Sequence, residues 1–463
     1  MAHPAGRRGG GKGGVRIDLL GAVDLLHECL TESVCETVFR QTRVTERARD
    51  WTLHHLAEFW TAVALRAPDS LTGALLEAQG RLEAGWPAIP ITTKQSFFER
   101  CQDLRPEFFA NLYRALRERL VAVSEPVFCA DFAPLLKHFP NIWALDGSRL
   151  DAVAHRLKIL WNVRSPVLPG CLEVAYDLAR GIPRVFHFNP DAAAAEIGRA
   201  RGVLDEVPLG TLLLGDRLHA NAEFFERITK KGLYGLFRRN RCLRLRKIKC
   251  LSRRRIGAGV LEDWLVDAGS GQTAPVQRLR WFRYRISGVT LESLTNVLDP
   301  RKLPADWAWA LYPCRWSIER MFYDLKEVLN LHCFYAGNPN AVAMQVYAAA
   351  IVYTAFRVAQ GRSARRAGIP PEEISTEKLF PKVAATSISW TGIQMGMRAV
   401  VQMNPGRRLR MPNWRRRRFA SIPLSAVRVE HRNDRRRKRR FCASRARWKS
   451  FAHVPGGPTM LRN

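Results

Sequence analysis

Two aspartates close short apolar runs, where a carboxylate could take part in metal-dependent chemistry. Asp146 follows the run Asn141–Leu145, and Asp216 follows Thr211–Gly215. If both runs are strands, their carboxylates lie at one rim of a sheet, where sites on such folds tend to form. Adjacent carboxylates repel unless a cation lies between them. The pair therefore favours a divalent-metal site, and in a basic chain it favours phosphodiester substrates.

The segment Leu311–Lys326 carries the most specific pattern in the chain. Read as one helix at about 100° per residue, its apolar residues cover one side for the core. Its polar and aromatic residues gather within about 100° of arc on the other side. These residues are Tyr312, Arg315, Trp316, Glu319 and Lys326.

The residue types on that side fit a site that binds metal and phosphate together. Glu319 would complete a cage of three carboxylates. Arg315 and Lys326 would hold phosphates, and Tyr312 would hydrogen-bond one. Trp316 would stack on an exposed base. An ordinary surface helix also has a polar side, so periodicity alone leaves both interpretations open.

The charge of the chain points to a polyanionic partner. The 463 residues carry a formal net charge of +32, which argues against an ordinary metabolic enzyme and favours nucleic acid. Residues 401–463 hold 19 Lys and Arg, 17 of them Arg, which predicts a phosphate-binding arm. Residues 238–255 hold ten more and no acid. A solvated tail and a plain solvated strand face remain the alternatives.

Both helices and strands are needed to position these residues. Helical spacing of apolar residues predicts helices over 16–120. From about 138, short strands alternate with helices, which favours a mixed α/β sheet. Residues 238–300 predict further strands with basic and aromatic residues interleaved, and 304–360 predict helices.

Membrane and secreted classes fit poorly. The first 14 residues are basic and rich in glycine, with no apolar signal core behind them. The longest uncharged apolar run, Ala341–Phe356, is shorter than the ~18–20 residues of a membrane span, so a buried helix is the better interpretation. The ten cysteines contain no C-x-x-C pair and are typical of an intracellular protein. The expected location is the bacterial cytoplasm, at the nucleoid.

The spacing Tyr-x2-Arg-x3-Glu-x6-Lys, met by Tyr312, Arg315, Glu319 and Lys326, resembles the signature of DDE transposases of the insertion sequence 4 family. The Leu-Asp-Gly-Ser around Asp146 and the Leu-Gly-Asp-Arg around Asp216 resemble the first two acidic segments of that family. The likeness covers roughly 140–360. The sequence departs from the family at Gly215, where alanine is expected, and at Tyr323, where some members carry a further lysine.

The resemblance implies a ribonuclease-H-like core with a mainly β insertion between the second acid and the signature helix. The 103 residues from Asp216 to Glu319 would contain that insertion. It implies catalytic and metal-binding roles for Asp146, Asp216 and Glu319, with two Mg²⁺ ions that Mn²⁺ can replace. It also implies DNA contacts by Tyr312, Arg315, Trp316 and Lys326.

The same resemblance predicts cut-and-paste transposition through hairpin ends. The partners would be terminal inverted repeats and target DNA, and a homodimer would form in the complex. A hydrolytic nuclease of the same fold, and a non-catalytic DNA-binding relic, are the alternatives.

The predicted organisation has five parts. They are a disordered basic N-terminus (1–15), a helical, DNA-binding N-terminal domain (16–125), a catalytic core (138–240 and 301–360), a β-rich insertion (241–300) and a C-terminal region with an Arg-rich tail (361–463).

Overall fold

The computed structural model describes the greater part of the chain. The predicted basic N-terminus and nearly all of the Arg-rich tail lie outside the described residues, which are 16–18, 20–42, 50–80, 86–87, 89–150, 170–191, 202–269, 276–385 and 421–423.

The described N-terminal part is helical from Leu20 onward, as its apolar spacing predicts, whereas Arg16–Asp18 form a strand because they pair with residues 421–423. Three of its helices begin at a side-chain cap, in which Thr52, Ser70 or Thr93 accepts a hydrogen bond from the backbone N–H three residues on. The helices are α1 (Leu20–Cys29), α2 (Glu32–Thr42), α3 (Leu53–Arg66), α4 (Leu71–Gln79), α5 (Lys94–Asp103) and α6 (Glu107–Ala122).

A nine-stranded mixed sheet follows. Its spatial order is β4-β3-β2-β5-β6-β10-β9-β8-β7, and a separate short ladder joins β1 (Arg16–Asp18) to β11 (Ser421–Pro423). The strands of the large sheet are β2 (Ile142–Arg149), β3 (Cys171–Asp177), β4 (Ile182–Asn189), β5 (Leu212–Gly215), β6 (Tyr234–Arg238), β7 (Leu245–Ile256), β8 (Gly259–Ala268), β9 (Gln277–Ile286) and β10 (Val289–Thr295).

Strand directions place the two aspartates side by side. β2, β3 and β4 are antiparallel, whereas β2, β5 and β6 are parallel, with Ala144 opposite Leu214. Asp216 directly follows β5, as predicted. Asp146 lies inside β2 rather than at its end, because pairing with β3 continues to Arg149 opposite Cys171. Both carboxylates still lie toward the same edge of neighbouring parallel strands.

The strands of the predicted insertion extend the large sheet. β10 pairs with β6, and the antiparallel strands β9, β8 and β7 follow in that order. Strand β7 is the outer edge, and most of its side chains are exposed. Helix α7 (Ala222–Lys230) lies between β5 and β6 in the chain.

The predicted signature helix is divided into three kinds of helical turn. α8 (Ala305–Leu311) continues into a 3₁₀ turn (Tyr312–Arg315), then α9 (Trp316–Tyr323), then a π-helical turn (Asp324–Val328). Pro313 has no N–H to donate to the preceding turn, which accounts for the break after α8. The single regular helix predicted from the spacing is therefore wrong in detail, although its residues do form one continuous helical segment.

Helix α10 (Pro339–Ala367) is the central helix of the molecule. It is long and apolar enough to cross a membrane, yet 94% of its most apolar stretch is buried inside the protein, as the buried-helix interpretation predicts. It packs on α3, α6 and β4. One apolar core therefore joins the N-terminal helices to one face of the sheet, and a smaller core with α7 lies on the other face.

Candidate active site

Arg315 is the centre of the candidate site. Its side chain is 8% exposed, and its two terminal nitrogens donate to different carboxylates. Nη1 lies 3.1 Å from Asp146 Oδ2, and Nη2 lies 2.7 Å from Glu319 Oε1. One guanidinium therefore links strand β2 to helix α9, and it brings together two of the three predicted acids.

Burial raises the pKa of both acids that Arg315 contacts. It raises the pKa of Asp146, although the Arg315 guanidinium and the N–H of Gly147 act against it. Burial also raises the pKa of Glu319, again opposed by Arg315. Repulsion from the neighbouring carboxylates, Asp216 included, raises both pKa values further. The three acids thus form one electrostatic group.

Asp216 is held differently. Its Oδ1 accepts hydrogen bonds from the N–H of Leu218 at 2.8 Å and from Nδ1 of His219 at 3.1 Å. Burial alone would raise the pKa of Asp216, but the His219 hydrogen bond and the other favourable contacts together outweigh it, and the pKa lies below its ordinary value. The lowered pKa favours the ionised form of Asp216, and two hydrogen bonds hold its Oδ1.

The other signature residues attach the helical segment to the sheet. The Tyr312 hydroxyl donates to the Gly215 carbonyl at 3.0 Å, and burial raises its pKa to about 12. Lys326 Nζ donates to Ser148 Oγ at 2.8 Å and to the Arg149 carbonyl at 2.6 Å. Tyr312 thus contacts the residue before Asp216, and Lys326 contacts the strand that contains Asp146.

Trp316 is the exposed aromatic of the site. It is 45% exposed, and the Arg315 guanidinium lies 5.0 Å from its ring centroid. Partial exposure of the ring is what stacking on a base requires.

The donor set fits a hard divalent cation in its chemistry. All three acids offer oxygen, the ligand that Mg²⁺ prefers. Within the described part of the chain, however, no three His, Cys, Asp or Glu side chains are grouped closely enough to hold a metal ion. Arg315 supplies the positive charge between Asp146 and Glu319 instead.

Sequence reasoning missed His219. Its side chain is buried, and only the three-residue step from Asp216 could have drawn attention to it. A histidine at that spacing after a strand-end aspartate can turn back to the carboxylate, but many loops share the spacing, so the signal alone is weak.

A second candidate surface lies on the outer strands. Two recessed acids there are each held between two exposed arginines. Glu262 lies between Arg253 and Arg285, and Asp267 between Arg246 and Arg278. Each triad keeps one net positive charge and holds its guanidinium groups in place.

The two triads lie on opposite faces of the sheet. Side chains alternate along β8, so Asp267 shares a face with Leu261, whereas Glu262 lies on the other. Leu261 packs in the same core as Ile142, which shares the face of Asp146. The Asp267 triad is thus on the face of the candidate active site.

Comparison with known proteins finds similarity to one class of protein. Residues 170–355 match the family model described as Transposase DDE domain. This stretch includes Asp216 and the whole Tyr-Arg-Glu-Lys signature, whereas Asp146 precedes it. Over this stretch, which is less than half of the chain, the protein is similar to DDE transposases, and the predicted resemblance to them is confirmed. Assignment to the insertion sequence 4 family stays a prediction.

Individual relatives agree with that class. A putative transposase, y4zB, of Sinorhizobium fredii is 28% identical over 197 residues, which cover 41% of this chain and 52% of the relative. A probable transposase for the insertion sequence element IS5377 of Geobacillus stearothermophilus is 23% identical over 203 residues, or 42% of this chain and 53% of that one. The chain thus spans about half the length of these curated relatives.

A search of solved structures finds a cryo-EM structure of the piggyBac transposase synaptic complex with hairpin DNA. It has a TM-score of 0.41 and 9% sequence identity, and the match covers 89% of this chain and 86% of that one.

Proposed function

We propose that this protein is a cut-and-paste DNA transposase of the insertion sequence 4 type, with a ribonuclease-H-like catalytic core. The observation that carries the proposal is that Arg315 contacts both Asp146 and Glu319, while Asp216 directly follows the adjacent parallel strand. The strand order supports it. Three antiparallel strands precede two parallel ones, and the acids come from the first strand, the fourth strand and a later helix.

The three acids are the proposed ligands of two Mg²⁺ ions, which Mn²⁺ can replace. When bound, such ions activate an attacking oxygen and stabilise the leaving oxygen of a phosphodiester. Around them, Arg315 and Lys326 would hold phosphates by charge, and Tyr312 would hydrogen-bond one.

The proposed reactions are in-line displacements on DNA. Water cuts a phosphodiester at the transposon end and frees its 3′-hydroxyl. This hydroxyl attacks the phosphodiester of the opposite strand, forms a hairpin and releases the flanking DNA with a 3′-hydroxyl. Water opens the hairpin, and the freed 3′-hydroxyl attacks a phosphodiester of the target DNA and displaces a target 3′-hydroxyl. Trp316 would stack on a base displaced as the hairpin forms. A homodimer would bring two ends together.

DNA binding beyond the acids is assigned to three regions. They are the N-terminal helices, the outer strands and the Arg-rich tail, which would hold the terminal inverted repeats and the target. The cytoplasmic, nucleoid-associated location follows from this partner. Removing residues 406–463 should flatten the dependence of DNA affinity on salt, since the slope falls by about 0.9 for each phosphate that the tail neutralises in the intact protein. An unchanged slope would contradict the tail's role.

In vitro strand transfer tests the proposal. Purified protein, Mg²⁺ and labelled DNA carrying the flanking element ends should give joined products. Glu319→Gln should abolish them, because the amide removes one charged oxygen ligand. Glu327→Gln, an exposed acid on the same helical segment, is the matched control and should keep them.

The remaining outcomes distinguish the alternatives. Cleavage without joining would indicate a hydrolytic nuclease. Binding without either reaction, unchanged by Glu319→Gln, would indicate a non-catalytic relic.

A further inference from the structure

A buried histidine lies directly behind Asp216. His219 is 2% exposed, and its ring packs against Phe224 at 5.3 Å and Phe237 at 5.9 Å between centroids. Its Nδ1 lies 3.1 Å from Asp216 Oδ1. Because a carboxylate oxygen offers only lone pairs, the Nδ1–H donates. The apolar rings leave the imidazole little room to turn away.

Gly215 makes the space that this contact needs. A Cβ at that position would lie 3.1 Å from His219 Nδ1 and 2.9 Å from Phe237 Cδ1. An alanine would therefore push the histidine or the phenylalanine out of place. Glycine at position 215, where the family resemblance predicts alanine, therefore leaves room for the contact between His219 and Asp216.

The hydrogen bond from His219 determines which oxygen of Asp216 remains available. Oδ1 receives both the His219 and the Leu218 hydrogen bonds, whereas Oδ2 has no hydrogen-bond partner in the described part of the chain. Arg315, whose proposed task is to bind phosphate, holds Oδ2 of Asp146 and Oε1 of Glu319, and Asp146 Oδ1 also accepts from the N–H of Gly147. Both hydrogen bonds of Asp216 come from its own loop, so they would remain if Arg315 turned to DNA.

We propose that His219 is a positioning residue that fixes Asp216 Oδ1 and so presents Oδ2 to a divalent cation before DNA binds. The inference rests on the proposed function and assigns to it a residue outside the signature. Partners of metal ligands typically contribute about 10- to 100-fold to metal affinity.

Two substitutions separate hydrogen bonding from packing. His219→Leu fills the pocket without a donor. His219→Asn places its amide nitrogen where Nδ1 lies and restores the donor. The exposed His138→Leu is the matched control. Free Mn²⁺ is measured by electron paramagnetic resonance in titrations of the full-length protein without DNA, and the Tm of each variant is recorded.

We expect His219→Leu to weaken Mn²⁺ binding by about 10- to 100-fold. His219→Asn should recover most of the affinity, and His138→Leu should leave it unchanged. DNA affinity measured in EDTA should be equal in all variants, because the effect passes through Asp216 and not through phosphate contacts.

Other outcomes overturn the inference. Wild-type affinity in His219→Leu would refute the positioning role while leaving the proposed function intact. Equal loss in His219→Leu and His219→Asn, in step with their Tm values, would assign His219 to packing alone. A wild-type protein that binds no Mn²⁺ and joins no DNA would refute the proposed function and, with it, this inference.

Discussion

Replacing Arg315 should destabilise the protein without metal and increase its stabilisation by Mg²⁺. Arg315→Met keeps most of the side-chain volume and removes the charge between Asp146 and Glu319. The two carboxylates then face each other without a cation, and a divalent ion can enter without displacing the guanidinium.

The magnitude follows from two charge-assisted hydrogen bonds, at 3.1 and 2.7 Å. Each such bond contributes about 1.5–3 kcal/mol. The Glu319 side chain is 34% exposed, so its share lies at the low end, and the buried methionine offsets part of the loss. A net cost of about 2–3 kcal/mol remains. One apolar core joins roughly 300 described residues, and at an unfolding entropy of about 2.1 cal/mol/K per residue the Tm should fall by about 3–5 °C.

Differential scanning calorimetry in EDTA and in Mg²⁺ measures both effects. A ligand at 100 times its Kd stabilises the native state by about 2.7 kcal/mol, and the variant should gain more of this than the wild type. Arg301→Met, whose side chain is 92% exposed, is the control and should change neither value. A variant as stable as the wild type in EDTA, or equal Mg²⁺ shifts in both, would refute the reasoning.

Two further predictions follow from the fold. Replacing Arg246 and Arg278 by glutamine, on the face of the acids, should lower the salt slope of DNA binding by up to about 1.8. The same change at Arg253 and Arg285, on the other face of the sheet, should lower the slope less. A larger decrease for Arg253 and Arg285 would place DNA on that other face. The hydrogen bond from the His187 imidazole lowers the pKa of Glu206 to about 2. The ionised Glu206 therefore stabilises the folded protein fully above pH 4.5, and this contribution is lost as the pH falls toward 2. Glu206→Gln should therefore cost about 2 kcal/mol in urea unfolding at pH 7 and clearly less at pH 3.5, and an equal cost at both pH values would contradict it.

The sequence predicts the central strands well, for a physical reason. A parallel strand that is covered on both faces consists of apolar residues throughout, and β5 has this pattern. The signature is similarly local, because its spacing needs only helical turns. Both features lie in short stretches of sequence, so periodicity is enough to find them.

What the sequence leaves open depends on distant partners. The extension of β2 beyond Asp146 requires pairing with β3, about 25 residues later in the chain. The π-helical turn that carries Lys326 cannot be predicted when every residue is assigned the same rotation about the helix axis. The bridging position of Arg315 combines a strand and a helical turn 169 residues apart. None of these can be obtained from local spacing.

The late position of helix α10 in the chain determines which mutations of the gene still give a folded protein. The helices before the sheet complete their apolar core only when this late segment has been made. A copy cut short before Pro339 would leave that core exposed to water and prone to aggregation. Truncated chains of that kind would be removed. Point changes at the acids would leave a folded chain, which under the proposed function would compete with intact protein for DNA.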